Sequence, residues 1–145
     1  MIKHKFYIVT SAFNSEKTII DYLNNLNKQQ YQRWELLIID DASKDNTYDL
    51  LKANKLNKKV KILRNNVNLG LTKSLIRLIE EIPSDSFIVR LDADEYLDPE
   101  FLLRINNILN TKKNTQLILS IRNKAYYLLL KYMNKSFRIL FLILW

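Results

Sequence analysis

Short continuous apolar runs alternate along this chain with stretches that carry a helical repeat. Phe6-Tyr7-Ile8-Val9-Thr10 has the pattern of a strand buried on both faces. Ser15 is placed to cap a helix in which Ile19, Ile20, Leu23 and Leu26 fall on one face. Glu35 to Ile39 is a second buried strand. A turn at Ala42-Ser43-Lys44-Asp45 follows, with Ser43 and Asp45 as caps of a short helix carrying Tyr48, Leu51 and Leu56. Val60-Lys61-Ile62-Leu63 alternates as an edge strand does. The helix after Gly70 has Leu75, Leu78, Ile79 and Ile82 on its apolar face, and Pro83-Ser84-Asp85 breaks it. Phe87 to Leu91 is a fourth strand. Asp98-Pro99-Glu100 then has the form of a cap with proline in the first turn, leading a helix that buries Phe101, Leu102, Ile105 and Leu109. Leu117 to Ile121 is a fifth strand candidate. The fold class is α/β: a mostly parallel sheet with helices on both faces.

Composition adds limits. With 145 residues, 48% of them hydrophobic, the chain is long enough for one folded core. It has no cysteine, which excludes disulfides and thiolate metal sites. Its single glycine excludes both a dinucleotide glycine fingerprint and a P-loop. The net charge is +8, and five basic residues (Arg122, Lys124, Lys131, Lys135 and Arg138) follow Leu117 with no acid among them, leaving +3 over residues 1–116. The basic excess is therefore a property of the last segment, which suits an anionic membrane surface. No nucleic-acid motif accompanies it, so nucleic acid is not expected as a partner. Ile2-Lys3-His4-Lys5 leads into only a short apolar run, unlike a signal peptide. No apolar stretch reaches the roughly 20 residues that a spanning helix needs. The chain ends within the run Ile139 to Trp145, as a truncated product would.

The chemistry concentrates at strand ends. Asp92-Ala93-Asp94 leaves the run Phe87 to Leu91, and Asp40-Asp41 leaves the run Leu36 to Ile39. Parallel sheets bind ligands beyond the carboxyl ends of their strands, where strand order reverses. Carboxylates gathered there repel one another unless a cation intervenes, and oxygen ligands suit Mg²⁺ or Mn²⁺ shared with substrate phosphates. Phe13, in the loop after the first strand, is placed either to stack on a nucleobase or to join the core. Lys73, just after Gly70, is either an anion contact at a helix start or a solvated lysine. Arg90 lies inside a strand and needs a partner, for which Asp92, Asp41 or a ligand would serve. His4, the single histidine, has no assigned role.

Four blocks in order resemble the family 2 glycosyltransferases of the GT-A fold, a Rossmann-like nucleotide-diphospho-sugar transferase architecture. They are VTSAFNSE (9–16), LLIIDDASKDNT (36–47), NNVNLGLTKSL (65–75) and LDADEYLDPE (91–100), so the likeness covers about residues 5–110. The resemblance implies that Ser11 and Phe13 line a nucleobase pocket and that Asp41 hydrogen-bonds the base. It implies that Asp92 approaches the ribose or a metal, and that Asp94 coordinates Mn²⁺ or Mg²⁺ bridging the donor diphosphate. Lys73 and Arg90 become nucleotide contacts. Ser11 stands where many members have proline, and Ala42 where many have glycine or asparagine.

The resemblance also implies a carboxylate base downstream of the metal motif, and residues 101–145 contain no acid. Glu95 and Asp98 are the substitutes the chain offers, though both also suit turn and cap positions. General-base catalysis contributes roughly 10²–10⁴-fold, so its loss would leave donor binding with little transfer. The expected organisation is a donor-binding domain over residues 1–116 and a basic apolar tail over 117–145, the start of an acceptor half or a membrane-surface segment. The expected function is sugar transfer from a nucleotide diphosphate donor, UDP-type, to a hydroxyl of a glycan or lipid-linked acceptor. The expected setting is bacterial surface polysaccharide assembly, in the cytoplasm or at the inner face of the membrane. One rival is a catalytically incomplete nucleotide-sugar-binding remnant. The other is a receiver-like signalling domain, which calls for an acidic pair after the first strand, where Phe13-Asn14 stands.

Overall fold

The computed structural model describes residues 1–54, 56, 60–84 and 86–111, together with the backbone of 138–140. Strand and helix alternate as β1 (Phe6–Ala12), α1 (Ile19–Asn27), β2 (Trp34–Asp40), α2 (Thr47–Ala53), β3 (Val60–Arg64), α3 (Leu71–Ile79), β4 (Phe87–Arg90), α4 (Phe101–Thr111) and β5 (Arg138–Leu140). They form one sheet in the order β3-β2-β1-β4-β5, and each pairing is parallel. The alternating strand β3 lies at an edge, as its pattern predicts. The strand expected at Leu117 to Ile121 falls outside the described residues.

Successive strand residues point to opposite faces, so continuous apolar runs serve two cores. Phe6, Ile8, Leu36, Ile38 and Val89 pack with Ile19, Leu23 and Leu26 of α1, Leu51 of α2 and Leu102 of α4. The alternate residues Tyr7, Val9, Leu37, Ile39 and Ile88 pack with Leu75, Leu78 and Ile79 of α3. Each fully buried Leu or Ile contributes roughly 1.5–3 kcal/mol of transfer free energy. The helices thus cover both faces and leave the carboxyl ends of the strands open.

Several boundaries differ from the sequence pattern. β1 runs on to Ala12 because Ser11 and Ala12 continue the pairing, opposite Ile39 and Asp40. Ser15 does not cap α1 with its side chain. Its backbone carbonyl accepts the N–H groups of Thr18 and Ile19 while its hydroxyl donates to the Phe13 carbonyl, so a turn precedes the helix. Leu56 lies beyond the end of α2, and Ile82 is buried in the turn after α3 rather than in the helix.

Candidate functional site

The chain leaves β1 through a loop, residues 13–18, that is stitched to the loop after β2. Asn14 N–H donates to Ser43 Oγ at 2.9 Å, Ser15 N–H to Thr47 Oγ1 at 2.7 Å, and Glu16 N–H to Asp45 Oδ2 at 3.1 Å. In the other direction, Lys44 N–H donates to Asn14 Oδ1 at 2.9 Å and Asn46 N–H to Glu16 Oε2 at 3.0 Å. Ser43 therefore joins the two loops instead of capping α2. Asp45 does serve that helix, since its Oδ1 accepts both the N–H and the hydroxyl of Thr47. Burial alone would raise the Asp45 carboxyl, but the hydrogen bonds from Thr47 and Glu16 outweigh it and hold it below the usual range. Phe13, at the start of this loop, is 45% exposed, so it is not a core residue.

The two acids ending β2 are both buried. Asp40 pairs with Arg64 of β3, Nε to Oδ2 at 3.1 Å, and the Arg64 guanidinium lies 4.4 Å over the Tyr48 ring. Asp41 is 2% exposed. Its Oδ1 accepts Leu69 N–H at 2.8 Å and the Asn65 amide at 2.6 Å, and its Oδ2 accepts Gly70 N–H at 2.8 Å. Ser74 adds its hydroxyl. Burial pushes this carboxyl up, and the hydrogen bonds from Leu69, Asn65, Ser74 and Gly70 overcome it, leaving the group below the ordinary carboxylate range. Asn65 is itself fixed, donating to Ser74 Oγ at 2.8 Å and accepting from Arg77. The chain turns out of this site through Ala42 at φ 60°, a left-handed conformation that a side chain disfavours.

The end of β4 is arranged differently. Arg90 donates to both carboxylate oxygens of Asp92. A tight turn follows, with Glu95 N–H on the Asp92 carbonyl and Asp92 N–H on Glu95 Oε2, each at 3.0 Å. Burial, reinforced by the neighbouring charges of Asp92 and Asp94, raises the Glu95 carboxyl against the opposing hydrogen bond and Arg90. Asp94 is exposed and takes no hydrogen bond or ion pair among the described residues. Asn25 of α1 and Gln29, just after that helix, anchor the segment beyond. Asn25 exchanges hydrogen bonds with the backbone of Leu97, and Gln29 donates to the Asp98 carbonyl at 2.7 Å. Asp98 caps the turn into α4 by accepting Glu100 N–H at 2.9 Å, and pairs with Arg104 at 3.4 Å.

These strand ends enclose a cavity of about 720 Å³. Of the residues singled out from sequence, Ser11, Phe13, Asp41, Asp92 and Asp94 line it together. Lys73, Arg90, Glu95 and Asp98 do not. Lys73 is exposed on the first turn of α3, and Arg90 reaches the site through Asp92. Sequence reasoning missed Glu16 and Lys17 in the lining and the cross-loop role of Asp45; no local pattern marks the bonds of Glu16 and Asp45 across the loops, because they join residues 29 or 30 positions apart. Five carboxylates (Glu16, Asp41, Asp45, Asp92 and Asp94) and one ammonium, Lys17, line the walls. An anionic ligand meets net repulsion there unless a cation comes with it. No group of three or more His, Cys, Asp or Glu side chains among the described residues is placed to hold a metal by itself. The donor set fits an ion that takes one or two carboxylates and fills its remaining positions with water and phosphate oxygens.

The description Glycosyl transferase family 2 matches residues 7–141. The chain is 28% identical over 116 residues to the putative glycosyltransferase EpsE of Bacillus subtilis, covering 79% of this chain and 41% of that one. It is 33% identical over 102 residues to the poly(ribitol-phosphate) beta-N-acetylglucosaminyltransferase TarS of Staphylococcus aureus, covering 68% of this chain and 18% of that one. It thus spans less than half the length of these curated relatives. Among solved structures, S. aureus TarS 1–349 in complex with UDP-GlcNAc superposes with a TM-score of 0.68 at 25% identity, over 74% of this chain and 31% of that one. The mannosyltransferase PcManGT from Pyrobaculum calidifontis, in complex with GDP-Man and Mn²⁺, gives a TM-score of 0.67 over 88% of this chain and 39% of that one; at 15% identity it bears on the fold alone. The parallel sheet and its helices are those of the GT-A glycosyltransferases.

Proposed function

The chain belongs to glycosyl transferase family 2, and we propose that it forms the donor-binding part of an enzyme that moves a sugar from a nucleotide diphosphate sugar to a hydroxyl acceptor. The carrying observation is the cavity at the ends of β1, β2 and β4, which gathers Ser11, Phe13, Asp41, Asp92 and Asp94. Family membership does not favour a receiver-like domain or an incomplete binding remnant, and Phe13-Asn14 occupies the place where a receiver needs acids. A UDP-type donor is supported by the TarS structure, whose complex holds UDP-GlcNAc.

In this reading Ser11 and the exposed ring of Phe13 form the nucleobase subsite. Asp41 meets the base from its floor, exchanging one of its present side-chain donors, Asn65 or Ser74, for the ligand. Asp94 and Asp92 are the ligands for Mn²⁺ or Mg²⁺, which would offset the diphosphate charge in a cavity that is otherwise acidic. Arg90 orients Asp92, and Lys73 is within the segment that faces the phosphates. Glu95 and Asp98 are engaged in the turn and the α4 cap and do not line the cavity, so neither is assigned as base.

We assign residues 1–116 to the donor-binding unit and 117–145 to the start of an acceptor half or a membrane-surface segment. We place the reaction in bacterial cell-surface polysaccharide assembly on a glycan or lipid-linked acceptor: the name of TarS, a poly(ribitol-phosphate) beta-N-acetylglucosaminyltransferase, supports a polymer acceptor, and the basic, acid-free stretch after Leu117 supports a place at the inner face of the membrane. Among the described residues no helix is long and apolar enough to cross a membrane. Calorimetric titration of the chain with UDP, in Mn²⁺ and then in EDTA, tests the assignment. Binding tightened about tenfold or more by Mn²⁺ is expected. Absence of binding to UDP and GDP in both conditions would remove it.

A further inference from the structure

The outer wall of the cavity is the 13–18 loop, which carries Phe13, Glu16 and Lys17 and is turned by its own bonds to the Ser15 and Phe13 carbonyls. Ser43, Lys44 and Thr47 hold its first residues from across the cleft mouth, and Asp45 holds Glu16 beyond them. One oxygen of that carboxylate holds Thr47 at the start of α2, and the other holds Glu16 N–H. The clasp is reciprocal, because Glu16 Oε2 accepts from both Asn46 N–H and the Asn46 amide at 3.0 and 3.2 Å. Two carboxylates of like charge are thus used as acceptors for opposite loops, an arrangement that orders both walls at once.

We propose that Asp45 is a positioning residue for the donor nucleoside: it holds the β1–α1 loop so that Phe13 presents its ring to the base. The inference rests on the donor-binding reading and adds to it the element that sets nucleoside affinity. An aspartate is required because two acceptor oxygens must face two sets of donors. Asparagine keeps one acceptor, which can satisfy Thr47 and preserve the α2 cap, but turns its NH₂ against Glu16 N–H. Asp45→Asn therefore opens the clasp while sparing the helix start. Glu16→Ala removes the reciprocal arm, the acceptor for Asn46 at the N-cap of α2, and leaves Glu16 N–H on Asp45.

The test compares wild type, Asp45→Asn, Glu16→Ala and the double variant by titration with UDP in Mn²⁺ and in EDTA, alongside thermal unfolding. Asp45→Asn is expected to weaken UDP about tenfold in both conditions, leaving the Mn²⁺-induced gain and the unfolding midpoint unchanged. The double variant is expected to bind no more weakly than the weaker single one, because both changes open the same clasp. Wild-type affinity in Asp45→Asn overturns the inference, as do losses that multiply in the double variant, which would mean that each carboxylate meets the ligand independently. If Asp45→Asn loses affinity only in step with its unfolding midpoint, Glu16→Ala decides alone: wild-type affinity there overturns the inference, and a loss at an unchanged midpoint upholds it. If wild type itself binds no UDP, the donor-binding reading fails, an outcome distinct from selective loss in the variants.

Discussion

At the end of β2, Asp41 is 2% exposed and accepts from Asn65, Leu69 and Gly70. At the end of β4, Asp94 is exposed and accepts nothing among the described residues, while its neighbour Asp92 is held by Arg90. Both acids leave apolar strands of the same sheet at the same edge. The difference lies in what covers them. The end of β2 is roofed by the segment that links β3 to α3, whose N–H groups need acceptors once buried. The end of β4 turns outward through residues 92–95 and keeps a carboxylate free. Equal residue types at equivalent strand ends are thus divided between a carboxylate that holds the wall of the cavity and one that has no partner among the described residues. The first site also bears a left-handed alanine, Ala42, whereas none of the residues with positive φ lies at the second.

The contrast is broken most directly by removing each acid. Asp41→Ala strands the donors of Asn65, Leu69, Gly70 and Ser74 around a buried gap and should cost about 3 kcal/mol in urea unfolding. A loss under about 1 kcal/mol would show that the 65–70 segment stands without it. Because the folded Asp41 carboxyl lies below its unfolded value, its contribution is present above that unfolded value and is lost as pH falls through the folded one. Wild type should therefore lose stability more steeply than Asp41→Asn in the acid range below about pH 4.

Asp94→Asn should leave unfolding within about 0.5 kcal/mol of wild type, since its side chain supports nothing. The same change should erase the gain in UDP affinity that Mn²⁺ provides, a loss of about tenfold. Retention of that gain in calorimetry would place the ion elsewhere. The smallest effect is expected at the turn beside Asp41. Ala42→Gly relieves a positive φ and should stabilise the chain by about 0.5–1 kcal/mol, read from the urea midpoint. A destabilised glycine variant would mean that the methyl group of Ala42 packs usefully.

Much of the scaffold was legible in the chain because each element reports its own burial. The runs Phe6 to Thr10 and Glu35 to Ile39 had to be covered on both faces, and the alternating Val60 to Leu63 had to sit at an edge; these follow from side-chain periodicity alone. The helix-facing residues Leu23, Leu26, Leu75 and Leu78 were legible for the same reason. The gathering of Ser11, Phe13, Asp41, Asp92 and Asp94 followed once the sheet was parallel, since strand ends then converge. Phe13 was undecided between core and cavity, and only its 45% exposure settles it. Lys73 and Arg90 had suitable positions along the chain but lie off the cavity wall, one on an exposed turn and the other behind Asp92.

Over residues 1–111 the sequence by itself determined which segments are strands and helices, that the sheet is parallel, and which end of it carries the acids, because periodic burial is a local property; the pairing of Arg138–Leu140 with β4 was not legible in it. Only the tertiary structure decided which carboxylate is satisfied and which is available. Asn65, Leu69 and Gly70, which hold Asp41, lie 24 to 29 positions from it, and the cross-loop partners of Asp45 and Glu16 lie 29 or 30 away. A carboxylate's hydrogen bonding and desolvation depend on neighbours that folding brings together, and no local pattern encodes them.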